Sequence, residues 1–98
     1  MSQADQLRIP DAARTDAKSF EILRVWVARQ DQHISMRTGV WEDPASWGVV
    51  LADLARHIAN GYDKFEQRDP LAALESIKAA FEAELRTPAR PMQGEVGR

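Results

Sequence analysis

FEILRVWVARQDQHISMRTGVWEDPASW, residues 20–47, decides the fold of this 98-residue chain. Its first part alternates. Leu23, Val25 and Val27 fall on one side of an extended strand and Arg24, Trp26 and Ala28 on the other, because successive strand side chains point to opposite faces. Ile34, Met36 and Thr38 alternate in the same way against His33, Ser35 and Arg37. Between the two runs lies Arg29-Gln30-Asp31-Gln32, polar and of hairpin length. An antiparallel β-hairpin is the expectation. Setting Ala28 opposite His33 brings Val27 against Ile34, Val25 against Met36 and Arg24 against Arg37. A slip of one residue would pair apolar faces with polar ones. The loop lacks Asn-Gly or Asp-Gly, so four residues are expected in it rather than two.

The same stretch ends in a helix start. The Asp43 carboxylate can accept from free backbone N–H groups, and Pro44 at the first helical position sacrifices no hydrogen bond. Trp47, Val50, Leu51, Leu54, Ile58, Gly61, Tyr62 and Phe65 then share one face at helical spacing. Gly61 is read as interior, admitting a neighbouring element closely. Asp69-Pro70 repeats the start, with Leu71, Leu74, Ile77, Phe81 and Leu85 inward and Pro88 closing the helix.

The expected class is therefore α+β: one hairpin with two α-helices packed on one face. Residues 20–86 form a single domain, residues 1–19 a partly ordered N-terminal arm, and residues 87–98, with Pro88, Pro91 and two glycines, a disordered C-terminal tail. An isolated two-stranded sheet is marginal in water. Either Leu7-Arg8-Ile9 adds a short third strand, or a second copy extends the sheet across an open edge; the homodimer is preferred.

Composition narrows the classes. Hydrophobic residues make up 44% of the chain, with three Trp and three Phe, which suits a folded domain. The net charge of -2, with both signs interspersed, gives no basic stripe for nucleic acid or an anionic membrane surface. There is no cysteine, hence no disulfide, thiol nucleophile or thiolate metal site. Neither a signal peptide nor a run near the ~20 apolar residues of a membrane span is visible, so the expected location is the cytoplasm.

Candidate site residues lie on the hairpin face turned away from the helices: Arg24, Trp26, His33, Ser35 and Arg37. Two arginines set opposite each other repel, and an anion between them would relieve the strain, with Trp26 available to stack a ring. Three readings stay open: a solvated face, a dimer or protein interface rich in Trp and Arg, and a site for a small anionic ligand. No metal is expected: Asp53 and His57 are one helical turn apart, but no third ligand joins them. No cofactor is expected either, because Gly39 and Gly61 lack phosphate-loop spacing. His33 and Ser35 point in parallel rather than converging, and no acid completes a triad, so no catalytic residue is nominated. Trp47 is assigned to the core, with Trp41 packed on the first helical turn.

Glu21–Ala28, Gln32–Arg37, Trp41–Gly48 and Asp53–His57 together resemble a family of small bacterial proteins catalogued as a domain of unknown function. The resemblance runs from Glu21 to Tyr62. It implies a stand-alone bacterial, cytoplasmic α+β domain and carries over no catalytic residue, substrate or cofactor. The expected role is a non-enzymatic interaction module acting as a homodimer, with an anionic-ligand binder as the rival.

Overall fold

The computed structural model describes residues 5–87 and 94–97. In chain order they form α1 (Asp11–Thr15), β1 (Leu23–Ala28), β2 (Asp31–Arg37), α2 (Ala45–Glu66), α3 (Pro70–Arg86) and β3 (Gly94–Gly97). The α+β class holds. Two units take shape, one built on the residues up to Val40 together with β3, the other beginning at Trp41.

In the sheet unit, β1 and β2 pair antiparallel with Leu23 opposite Met36, Arg24 opposite Ser35, Val25 opposite Ile34 and Trp26 opposite His33. The register is offset by two residues from the expected one, and the loop holds two residues instead of four. Arg29 and Gln30 form it, with φ of 54° and 63°. Positive φ at both positions is the signature of a type I′ turn, whose twist matches the flanking strands. That match outweighs a cost of roughly 1–2 kcal/mol for each side-chain-bearing residue in the left-handed region. An offset of two leaves every side chain on its expected face, since the strand period is two. Its consequence is electrostatic. Arg24 faces Ser35, not Arg37, and the Arg37 N–H donates to the Ile22 carbonyl at 2.9 Å.

Leu7-Arg8-Ile9 is not a strand. The third strand is β3, which pairs parallel with β2 (Ile34 with Gly94 through Arg37 with Gly97), giving the order β1-β2-β3. The expected disordered tail is corrected over these four residues; residues 88–93 and Arg98 lie outside the described ones. Backbone groups along the second edge of β2 need partners, and four extended residues supply them whatever their side chains. A parallel pair requires a long crossover, which here is the segment carrying both helices.

Within the arm, α1 is a five-residue helix, and Asp11 is ion-paired with Arg8 and Arg14.

In the helical unit, the Asp69-Pro70 start is as expected, whereas α2 begins one residue later than expected, at Ala45, with Pro44 in the cap position. Asp43 Oδ1 accepts from the Ala45 N–H at 2.9 Å, and Asp69 Oδ1 accepts from the Leu71 N–H at 3.3 Å. Trp41 meets Trp47 edge-on, with ring centroids 5.3 Å apart at 83°. The helices meet along a narrow seam. Ala59 is buried, 3% exposed, and Val50, Tyr62, Leu74 and Ile77 are half-buried. Much of the expected apolar stripe stays in solvent: Leu51, Leu54, Ile58 and Phe65 on α2, and Leu71, Phe81 and Leu85 on α3. Periodicity gave the stripe its direction, but one helix against another covers only part of a face that spans ~100°. Gly61 is interior to α2, yet a Cβ there would meet nothing within 4 Å, so no close approach explains it among the described residues.

Candidate functional site

β1 is an edge strand, and a cleft of about 680 Å³ runs beside it. Leu23, Arg24, Val25 and Trp26 all line this cleft. Because alternate strand side chains point to opposite faces, a hollow touched by four consecutive residues must follow the edge of the strand. The N-terminal arm also lines it, notably through Leu7 and Ile9, as does Phe20.

The five residues singled out in the sequence divide between this cleft and the face beyond it. Arg24 and Trp26 belong to the cleft; His33, Ser35 and Arg37 do not line it. Arg24 is ion-paired with Glu21 at 3.0 Å, and its guanidinium carbon stands 6.0 Å from the centre of the Trp26 ring. Arg37 Nε donates to the Glu21 carbonyl at 3.1 Å, and its guanidinium lies 5.3 Å from the centre of the Phe20 ring. His33 donates from Nε2 to the Ala28 carbonyl at 3.0 Å, which fixes the ring against its own hairpin. Ser35 is exposed opposite Arg24.

Phe20-Glu21 is the element that residue-by-residue reading missed. Its carboxylate engages one arginine, while its carbonyl and its aromatic ring engage the other. A hairpin offset of two would have revealed it, because Ile22 then stands level with Arg37 and the residues just before the strand join the ladder. The repulsion that was to recruit an anion is absent. Arg24 has its own carboxylate, and Arg8 and Arg14 share that of Asp11. What remains unsatisfied along β1 is apolar surface and backbone.

Elsewhere, Arg56 donates to Asp53 at 3.2 Å, and His57 is exposed one turn from Asp53. Among the described residues no group of three or more His, Asp or Glu is placed to hold a metal ion. None of their helices is long and apolar enough to cross a membrane.

No curated protein matches the chain. A solved structure of a provisionally named pyruvate dehydrogenase from the photosynthetic bacterium Rhodopseudomonas palustrus CGA009 is 32% identical. It superposes with a TM-score of 0.75, over 95% of this chain and 96% of that one. A family model, Domain of unknown function (DUF5076), matches residues 6–89. With most of its length inside that match, the chain belongs to the DUF5076 family.

Proposed function

We propose that this chain is a non-enzymatic interaction module that works as a homodimer in the cytoplasm. The observation that carries the reading is the apolar surface left without cover. In the helical unit Phe65, Leu71 and Leu85 are 74%, 72% and 70% exposed; in the sheet unit Leu7 and Val27 are more exposed still. Burying a side chain of this kind fully is worth about 1.5–3 kcal/mol. Five of them forgo roughly 10 kcal/mol, comparable with the whole stability of a small domain. Interaction through Trp26, Arg24 and Arg37 fits the residue types favoured at interfaces. The lack of cysteine suits a reducing compartment.

Likeness of fold does not transfer chemistry, so the dehydrogenase name stays with the protein that bears it. An anionic ligand on the hairpin face has lost its main support, since its arginines already hold acidic or carbonyl partners. Multi-angle light scattering over a range of concentrations tests the proposal. The expected mass is twice the 11.0 kDa of one chain. Trp26→Ala should weaken assembly or partner capture. A monomer throughout, with Trp26→Ala indistinguishable from the parent, would sink the reading.

A further inference from the structure

We propose that β1 pairs antiparallel with β1 of a second copy about a two-fold axis at Val25, joining two three-stranded sheets into one of six strands. This rests on the homodimer reading and names its contact.

The backbone directions come first. The Arg37 N–H bonds to the Ile22 carbonyl, so even-numbered residues of β1 turn their N–H and C=O groups toward β2. Leu23, Val25 and Val27 consequently turn theirs outward, along the cleft. No described residue bonds these groups from across it. Such an edge is normally blunted by Pro, Lys or a bulge. Here it carries none of these, and Val25 and Val27 are 52% and 79% exposed. An extended segment is the occupant that satisfies a row of outward amides.

Self-complementarity selects a second β1 and its register. In an antiparallel pair, opposed residues share a face, so apolar Leu23, Val25 and Val27 must meet odd-numbered residues of the second copy. Three registers meet that condition near the strand centre. Centring on Arg24 sets it against its own copy, with like charges opposed. Centring on Trp26 sets Leu23 level with Arg29, which has left the strand for the turn, so one outward residue on each chain loses its partner. Centring on Val25 sets Val25 against itself and Leu23 against Val27. It sets Arg24 against Trp26, a cation over an aromatic ring. This register opposes no like charges. It also uses all three outward residues on both chains, which the two offset registers cannot.

The absence of native cysteine makes the test direct. Val25→Cys places one thiol on the axis. Its Cα stands about 5.5 Å from its copy across a hydrogen-bonded pair, within the span a disulfide bridges. Arg24→Cys and Trp26→Cys probe the two rejected registers. Under mild oxidation V25C is expected to form covalent dimer at least about tenfold faster than R24C or W26C, whose like residues stand beyond bonding reach. Val25→Pro removes only an outward N–H, which an edge strand tolerates, and is expected to yield monomer with an intact circular-dichroism spectrum. If R24C or W26C links as fast as V25C, or none links although the parent is dimeric, the β1 contact is wrong and the homodimer reading stands. A dimeric V25P also overturns the contact. A parent that is monomeric at every concentration removes both.

Discussion

Replacing Gln30 by glycine should stabilise the protein, whereas replacing Gln32 by glycine, two positions on, should destabilise it. Gln30 has φ of 63°, while Gln32 lies in the β2 ladder opposite Val27. The left-handed conformation costs a residue with a Cβ about 1–2 kcal/mol that glycine does not incur. Against that, glycine loses about 0.5–1 kcal/mol more backbone entropy on folding. The net for Gln30→Gly is a gain of roughly 0.5–1 kcal/mol. For Gln32→Gly only the entropic loss applies, with the opposite sign. The two variants should therefore differ by about 1–2 kcal/mol, or roughly 5–10 °C in Tm for a chain of this size. Thermal and urea unfolding followed by far-ultraviolet circular dichroism measures both. Protein concentration must be held constant, because assembly couples Tm to it. The opposition of sign is the decisive part. If both variants lose stability equally, Gln30 is not in the left-handed region, and the two-residue turn, with the register that depends on it, is wrong.

Asp69→Ala removes the carboxylate that caps α3 through the Leu71 N–H and should cost about 1 kcal/mol in urea unfolding, with Asp69→Asn largely restoring it. Gly61→Ala, inside α2 where a Cβ meets nothing within 4 Å, should stabilise by about 1 kcal/mol. A loss of stability there, accompanied by a lower dimer fraction in light scattering, would place a second chain against Gly61.

How far the residues spoke for themselves follows from which interactions are local. The start of α3 at Asp69-Pro70 was legible in full, and that of α2 to within one residue, because a cap needs only a side chain and the next few amides. The faces of the hairpin were legible because alternation is a property of one strand. The register was not. It depends on whether Arg29 and Gln30 accept positive φ, and neither residue type advertises that. β3 was hidden for a different reason: Gly94-Glu95-Val96-Gly97 joins the sheet through its backbone, and its composition reads as a tail. In the candidate site, Trp26 and Arg24 were singled out for their chemistry, and both line the cleft. The role imagined for Arg37 depended on a neighbour it does not have. Glu21 went unnoticed because its importance appears only once the two-residue turn sets Ile22 beside Arg37.

The parallel pairing of β3 with β2 has a consequence for the order in which the protein is built. Ile34 and Gly94 are about 60 residues apart along the chain, so closing that loop costs roughly 3–4 kcal/mol of entropy before any β3 contact forms. The hairpin needs a loop of only two residues and forms on the microsecond scale. β1, β2 and both helices are synthesised before Gly94, leaving the outer edge of β2 uncovered in the nascent chain. The last strand made is the one that seals it. Synthesis of Gly94–Gly97, not the appearance of the hairpin, therefore completes the sheet. Until then the nascent chain presents two open strand edges, one on β1 and one on β2.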